Sequence, residues 1–300
     1  MLSLAEDLQN PKKELSDFKE ITNRILSYLP NVITGTIEAK NYIIYKSAAG
    51  QTTKLTRPVN ENLFIHDVTS FSNSYTDFLS ILEQSKNRQS VTTEKRLVIL
   101  RVLYTIQQAI GLGCDLLLND NSARKHVGNR FEELIRCLFE QLGYANNRTV
   151  LKIPYQEGDK KAYYKCENDA ILSPYKKIKS NSHSIDPNEV VVSIKTTSKD
   201  RMGKIFIDKI LLEKFVNHPI KSIGIFHNDI QRKKDTGVTG TLVSGLFMVY
   251  HNFLTNVDGV YYIDVPPIAE KEPYSNLIKP ISDLICDDIH ILVNKTAINN

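Results

Sequence analysis

The feature that most constrains this chain is the run Val190-Val191-Val192-Ser193-Ile194-Lys195. It is a strand of the buried type that ends in alternation, so Ser193 and Lys195, two residues apart, share one face. The flanking segments follow an α/β order. Strands are expected at 149–153, 162–172, 190–196 and 220–226, with a helix at about 204–216 between the last two. A long polar loop at 173–188 carries Lys176, Lys177 and Lys179, and a helix at 240–254, a strand at 260–265 and a closing helix after Pro280 complete the pattern. Ahead of these strands, Val127, Phe131, Leu134, Ile135, Leu138, Phe139 and Leu142 form the apolar face of a helix ended by Gly143. Residues 119–300 therefore read as an α/β unit with a mixed sheet flanked by helices.

Residues 1–118 read as mostly helical. Helical spacing runs over 5–29, with Pro11 marking a break and Pro30 an end, and again over 69–85 and 94–118. Between them, β-prone runs at 32–34, 42–45 and 63–65 suggest a small sheet or arm over 31–68, interrupted by Gly50 and the polar stretch 51–62. At 300 residues and 41% hydrophobic, the chain has enough apolar side chains for a real core, which excludes intrinsic disorder. Lys plus Arg (38) exceed Asp plus Glu (34) by four, so a nucleic-acid partner requires a local basic surface rather than a basic protein.

The four cysteines, Cys114, Cys137, Cys166 and Cys286, form no CxxC pair, which argues against a structural zinc site or a disulfide scaffold and fits the cytoplasm. Glu6 and Asp7 stand where a secretory signal carries basic residues, so export is not expected. The apolar stretch 97–118 is interrupted by Arg101, Gln107, Gln108 and Asp115 and reads as a core helix rather than a membrane span.

The chemistry concentrates around two strands. Asp169 lies where the polar triplet Glu167-Asn168-Asp169 runs into the apolar residues Ala170-Ile171-Leu172. If the two strands pair, Lys195 stands beside that carboxylate. Hydrolysis of a phosphodiester needs a carboxylate-held divalent metal, a water near it, and a cation to orient the water or stabilise charge on the phosphorane. Taken singly, Asp169 reads as a turn residue and Lys195 as a solvated strand end; only the combination points to chemistry. On the preceding helix, angular spacing sets Glu132 at the edge of the apolar face, while Glu133 and Glu140 point into solvent.

These residues resemble the PD-(D/E)xK nucleases, and within them the type II restriction endonucleases. Gly128-Asn129-Arg130-Phe131-Glu132 is similar to the opening helix of that superfamily and Asp169 to its metal-binding aspartate. Ser193-Ile194-Lys195 resembles the SxK variant, found in the branch that reads CCGG, CCNGG and CCWGG sites. In that branch the following helix supplies the missing carboxylate. Asp208 holds the matching place, as Asp instead of the usual Glu, and Glu213 is the alternative acid. Lys195-Thr196-Thr197-Ser198-Lys199-Asp200-Arg201 resembles the branch's K-T-T-x-R-(D/E)-R segment, in which a basic-acidic-basic triplet reads bases. Such a triplet suits G·C pairs, because a basic side chain donates to guanine and a carboxylate accepts from cytosine.

The resemblance covers residues 124–215. It implies a Mg²⁺-dependent, site-specific double-strand DNA endonuclease with a restriction-endonuclease-like core. Asp169, Asp208 and Glu132 would hold metal, Lys195 would position water, and Ser193 would mark the vacated acidic position. It further implies a homodimer and a cognate DNA methyltransferase in a restriction-modification system. Two other segments are read from their residues alone. Gln231-Arg232-Lys233-Lys234-Asp235-Thr236-Gly237 is a basic polar loop able to touch phosphates, and Lys54 and Arg57 lie on a surface loop that would clamp a duplex from the N-terminal side. The sequence leaves open whether the 240–254 helix is core or a dimer face. Two rival readings are a DNA-binding protein that keeps the fold without catalysis, and a sequence-blind repair nuclease of the same superfamily.

Overall fold

The computed structural model describes residues 2–49, 52–199, 201–233 and 237–293. Asp200, the middle member of the expected base-reading triplet, and Lys234, Asp235 and Thr236 of the expected basic loop lie outside the described residues.

The chain opens with α1 (Leu4–Gln9) and α2 (Leu15–Val32). Ser3 and Glu6 form a reciprocal capping box on α1, which satisfies two backbone donors at its start. Pro11 falls between the two helices as expected, but Pro30 does not end α2. Proline lacks only its own amide donor, and here it sits in the last turn, where the Ile33 N–H still reaches Leu29. Strands β1 (Ile33–Ala39), β2 (Tyr42–Ala49), β3 (Thr52–Leu55) and β4 (Val59–Asn60) then form a small antiparallel sheet in which β2 pairs with all three others.

The expected strand at 63–65 is absent. Phe64 and Ile65 are buried, and the Ile65 amide donates to Thr105 Oγ1 at 2.9 Å, so core burial and a side-chain acceptor replace strand pairing. Conversely, the polar stretch 51–62 contains β3 and β4.

Helices α3 (Val68–Lys86), α4 (Thr93–Leu117) and α5 (Asp120–Gln141) follow. Among the described residues α4 is long and apolar enough to cross a membrane, yet 78% of its most apolar window is buried inside the protein. The expected boundary at 118/119 falls on the N-cap of α5, where the Asn119 side chain accepts the Ser122 amide. The hydrophobic core runs straight through it, joining Phe18, Phe71, Val102 and Ile106 to Phe131, Leu134, Val192 and Ile223.

Beyond α5 the chain forms β5 (Ala145–Glu157), β6 (Lys160–Ser173), β7 (Val190–Thr197), α6 (Met202–Val216), β8 (Lys221–Asn228), β9 (Ile230–Lys233), β10 (Gly237–Gly240), α7 (Ser244–Phe253), β11 (Gly259–Tyr262) and β12 (Ile278–Pro280), and closes in helical turns over 281–292. The main sheet has the order β12-β11-β8-β7-β6-β5. Strands β7, β8, β11 and β12 are parallel neighbours, whereas β6 is antiparallel to β7 and to β5. Helix α5 covers one face. Leu212 of α6 covers the other, meeting Leu151, Cys166 and Val191.

The segment after β8, read from sequence as a basic loop, is a two-stranded antiparallel hairpin in which Gly237 faces Lys233. Strands β5 and β6 are each longer than expected, and β11 ends at Tyr262, short of the expected Val265.

Candidate active site and nucleic-acid interface

The site forms where β6 and β7 part. Ala170 faces Val192, and the ladder between the two strands ends at that pair. At the same place β6 bulges against β5. Asn147 faces Ile171 but Thr149 faces Asn168, so Asp169 and Ala170 together oppose the single residue Arg148. A bulge bends its strand and re-aims the local side chain. Here it turns the Asp169 carboxylate toward β7, where Oδ2 accepts the Ile194 backbone N–H at 2.7 Å and also meets the Lys195 ammonium. The carboxylate thus replaces the acceptor that the diverging strand withdraws. Asp169 is 7% exposed, so the lysine's charge also offsets the cost of burying a carboxylate.

A cavity opens in this fork. It is lined by Asn168, Asp169, Ser193 and Lys195 from the two strands and by Lys204 and Asp208 from α6. Lys204 Nζ donates to Asp208 Oδ1 at 2.7 Å, one helical turn along α6. The sequence-expected residues Asp169, Ser193, Lys195 and Asp208 are therefore brought together. Glu213, the alternative acid, is not among the cavity-lining residues; its Oε1 accepts the Ile220 amide at 3.2 Å near the end of α6.

Glu132 reaches the site through its field. Burial raises its carboxyl above the usual range, the Asp169 carboxylate raises it further, and Lys195, Arg148 and Arg136 oppose the rise. Glu133 corrects the angular reading: it accepts from the buried Arg130 at 2.6 Å and from the Lys12 amide at 2.8 Å, because the segment between α1 and α2 folds back over α5.

Among the described residues no group of three or more His, Cys, Asp or Glu gathers as a ready-made metal cage. The oxygen donors present fit a less demanding ion. Mg²⁺ usually keeps several waters and takes one or two protein carboxylates plus substrate phosphate oxygens. Asp169 and Asp208 on one cavity meet that requirement.

A larger cleft of about 640 Å³ lies at the C-terminal end of β7. Thr197, two residues past Lys195, lines it with Lys54, Arg57, Arg124, Gln231 and Arg232. Two segments far apart in sequence close on each other here: Arg232 Nη1 donates to the Leu55 carbonyl at 2.8 Å. Arg57 is anchored by Asp115, with Nε–Oδ2 at 2.9 Å and Nη2–Oδ1 at 2.7 Å. Lys54 caps the end of α4 through the carbonyls of Leu116 and Leu118. Of the expected base-reading residues, Lys199 and Arg201 are exposed in the turn between β7 and α6, and Arg232 and Lys233 are exposed on β9.

Sequence reasoning missed Lys204, Arg148 and the bulge. The spacing of Lys204 and Asp208 by four on one helix was the available signal for their pairing. Nothing in the residues themselves marks the bulge, because it is a relation between two strands.

No protein-family model matches the sequence, and no curated protein matches it. Among the solved structures that match the chain are two restriction endonucleases. The type IIP restriction endonuclease Kpn2I superposes with a TM-score of 0.71 over 94% of this chain and 92% of that chain, at 17% identity. The restriction endonuclease PspGI, solved with its substrate DNA, aligns with a TM-score of 0.46 over 75% of this chain and 93% of that chain, at 13% identity. The chain thus has a restriction-endonuclease fold, a mixed α/β sheet flanked by helices, that extends over nearly its whole length.

Proposed function

We propose that this protein is a Mg²⁺-dependent, site-specific endonuclease that hydrolyses phosphodiester bonds in double-stranded DNA. The observation that carries this reading is the fork between β6 and β7, where Asp169, Lys195 and Asp208 share one cavity opening beside a cleft lined by basic residues. The likeness to Kpn2I over nearly the whole chain supports the same reading at the level of fold.

Asp169 and Asp208 would hold the metal, with Glu132 as an outer or second ligand. Bound Mg²⁺ supplies charge neutralisation at the scissile phosphate and acidifies coordinated water. The chain's own residues divide the remaining work. Asp169 is oriented by the Ile194 amide, which donates to its Oδ2. Lys195, tethered to that carboxylate, presents its ammonium to the attacking water or to the phosphorane charge. Ser193 occupies the position that an acidic residue holds in the more common motif and provides no nucleophile. Lys204 holds Asp208 and, being exposed, would be free to yield that carboxylate to a bound cation.

Lys199, Asp200 and Arg201 are assigned to base recognition in a G·C-containing site, and Arg232 and Lys233 to further DNA contacts. The functional unit is a homodimer acting on a palindromic or near-palindromic sequence, protected in the host by a cognate methyltransferase. An apolar row on α7 supports the dimer: Leu246, Val249 and Phe253 are 45%, 49% and 80% exposed, an unusual amount of apolar surface for one short helix. Incubating the purified protein with a long natural duplex in the presence and absence of Mg²⁺ tests the reading, through the appearance of discrete, metal-dependent fragments.

A further inference from the structure

Strands β5 and β6 continue well past the point where β7 leaves them. The ladder with β7 covers Ala170, Ile171 and Leu172, but the β5–β6 pairing runs on without interruption from Thr149↔Asn168 to Glu157↔Lys160. At about 3.3 Å per residue, the stretch from Lys152 to Glu157 forms a two-stranded ribbon roughly 17 Å long. Its turn is closed at Gly158, whose φ of +59° suits a residue without a side chain. Because β6 is antiparallel to β7, the ribbon projects from the end of the sheet that carries Lys195 and the recognition turn.

The register sorts the ribbon's side chains into two unlike faces. Lys152 pairs with Lys165, Pro154 with Tyr163, and Gln156 with Lys161, so these six residues share one face. All six are exposed, and no carboxylate lies among them. Two lysines directly opposite each other repel, so an isolated ribbon has no reason to place Lys152 across from Lys165. The Lys161 ammonium lies 5.8 Å from the centre of the Tyr163 ring, which keeps an aromatic surface beside the charges. The other face carries Ile153, Tyr155, Ala162 and Tyr164, and it continues into the buried Leu151 and Cys166 that pack against α6. The ribbon is thus rooted in the core on one side and presents concentrated positive charge on the other.

We infer that the ribbon formed by residues 152–165 is a DNA arm, whose Lys152, Lys161 and Lys165 grip the phosphate backbone of the duplex flanking the cleavage site. The inference rests on the proposed endonuclease function and adds to it a surface that the sequence motifs do not reach. Charge complementarity selects the occupant: three ammonium groups with an intervening phenol ring match a polyanion with stacked bases, and their spacing along a strand suits successive phosphates. Asp169 lies four residues after Lys165 on the same strand, about 13 Å away, so the arm engages DNA just outside the scissile bond.

The test is the salt dependence of binding to a fluorescein-labelled duplex fragment, measured without added metal between 50 and 200 mM NaCl, where such slopes are large. For Lys152→Ala/Lys161→Ala/Lys165→Ala, the slope of log affinity against log salt should fall by about two to three relative to wild type, close to one per lysine removed. The triple Lys→Arg variant should restore it. A charge-matched control, Lys13→Ala/Lys19→Ala/Lys86→Ala, removes lysines away from the fork and should leave the slope unchanged. Normal wild-type binding with an unchanged slope and affinity in the arm variant overturns the arm alone. Failure of the wild-type protein to bind duplex DNA at any salt overturns both the arm and the endonuclease reading.

Discussion

The Asp169 carboxylate and the Lys195 ammonium are in direct contact, and the same carboxylate oxygen accepts the Ile194 backbone N–H. One aspartate therefore closes the gap between two diverging strands and holds Lys195 across the fork. Structure and chemistry are coupled at this residue. Asp169→Ala and Lys195→Ala should each lower DNA cleavage by at least about 100-fold while leaving duplex binding measurable, since each removes a charge-stabilising group rather than a groove contact. Asp169→Ala should also lower stability by about 1–3 kcal/mol, because it strands a buried amide and a largely buried ammonium. Single-turnover cleavage and thermal unfolding on the same preparations check both parts.

Asp208 and Glu213 make different predictions although both lie on α6. Asp208→Asn should raise the Mg²⁺ concentration needed for half-maximal cleavage by about tenfold or more, as expected for loss of a ligand. Glu213→Gln should leave that requirement unchanged and act, if at all, on stability through its bond to the Ile220 amide. A Mg²⁺ titration of cleavage separates the two.

Asp264 predicts a pH effect unrelated to catalysis. It is buried where the small N-terminal sheet meets the main one, accepting from Tyr42 Oη at 3.0 Å and Asn60 Nδ2 at 2.9 Å. Burial pushes its carboxyl up to about 6, the two donors oppose the rise, and the nearby Asp229 carboxylate adds to it. A carboxyl raised in the folded state contributes stability that is present at low pH and lost as pH rises from about 4 through about 6. The stability difference between wild type and Asp264→Asn should therefore shift against wild type by about 2 kcal/mol between pH 4 and pH 7. Denaturant unfolding of both proteins across that range measures it, and a flat difference would contradict the assignment.

The exposed row on α7 predicts the state of association. Leu246→Asp/Phe253→Asp should convert a dimer to a monomer without loss of fold, because both side chains face solvent in the protomer. Sedimentation equilibrium gives the mass, and circular dichroism the retained helix and strand content.

Much of this was legible in the sequence wherever a local pattern governs the result. The β-branched run at Val190 fixes a buried strand, and its closing alternation puts Ser193 and Lys195 on one face. The expected boundary at 118/119 falls at the start of α5, where the Asn119 side chain caps the helix. What escaped depends on contacts between distant segments. The 63–65 run looks β-prone, but its apolar residues are consumed by the core and its amide by Thr105. Glu133 reads as a solvent-facing helix residue until Lys12 and Arg130 fold over it. The hairpin of β9 and β10 lies in a polar stretch with no apolar alternation to announce it. The bulge at Asp169 arises only from the register of β6 against β5.

Metal-dependent cutting at a defined sequence is tested most directly by digestion of phage λ DNA by purified protein at millimolar Mg²⁺, followed by sequencing of the fragment ends. Discrete fragments whose ends share one short motif are expected, seen only with the metal and abolished by Lys195→Ala. A smear of unrelated ends, or DNA left intact across metals and salts, would contradict such cutting.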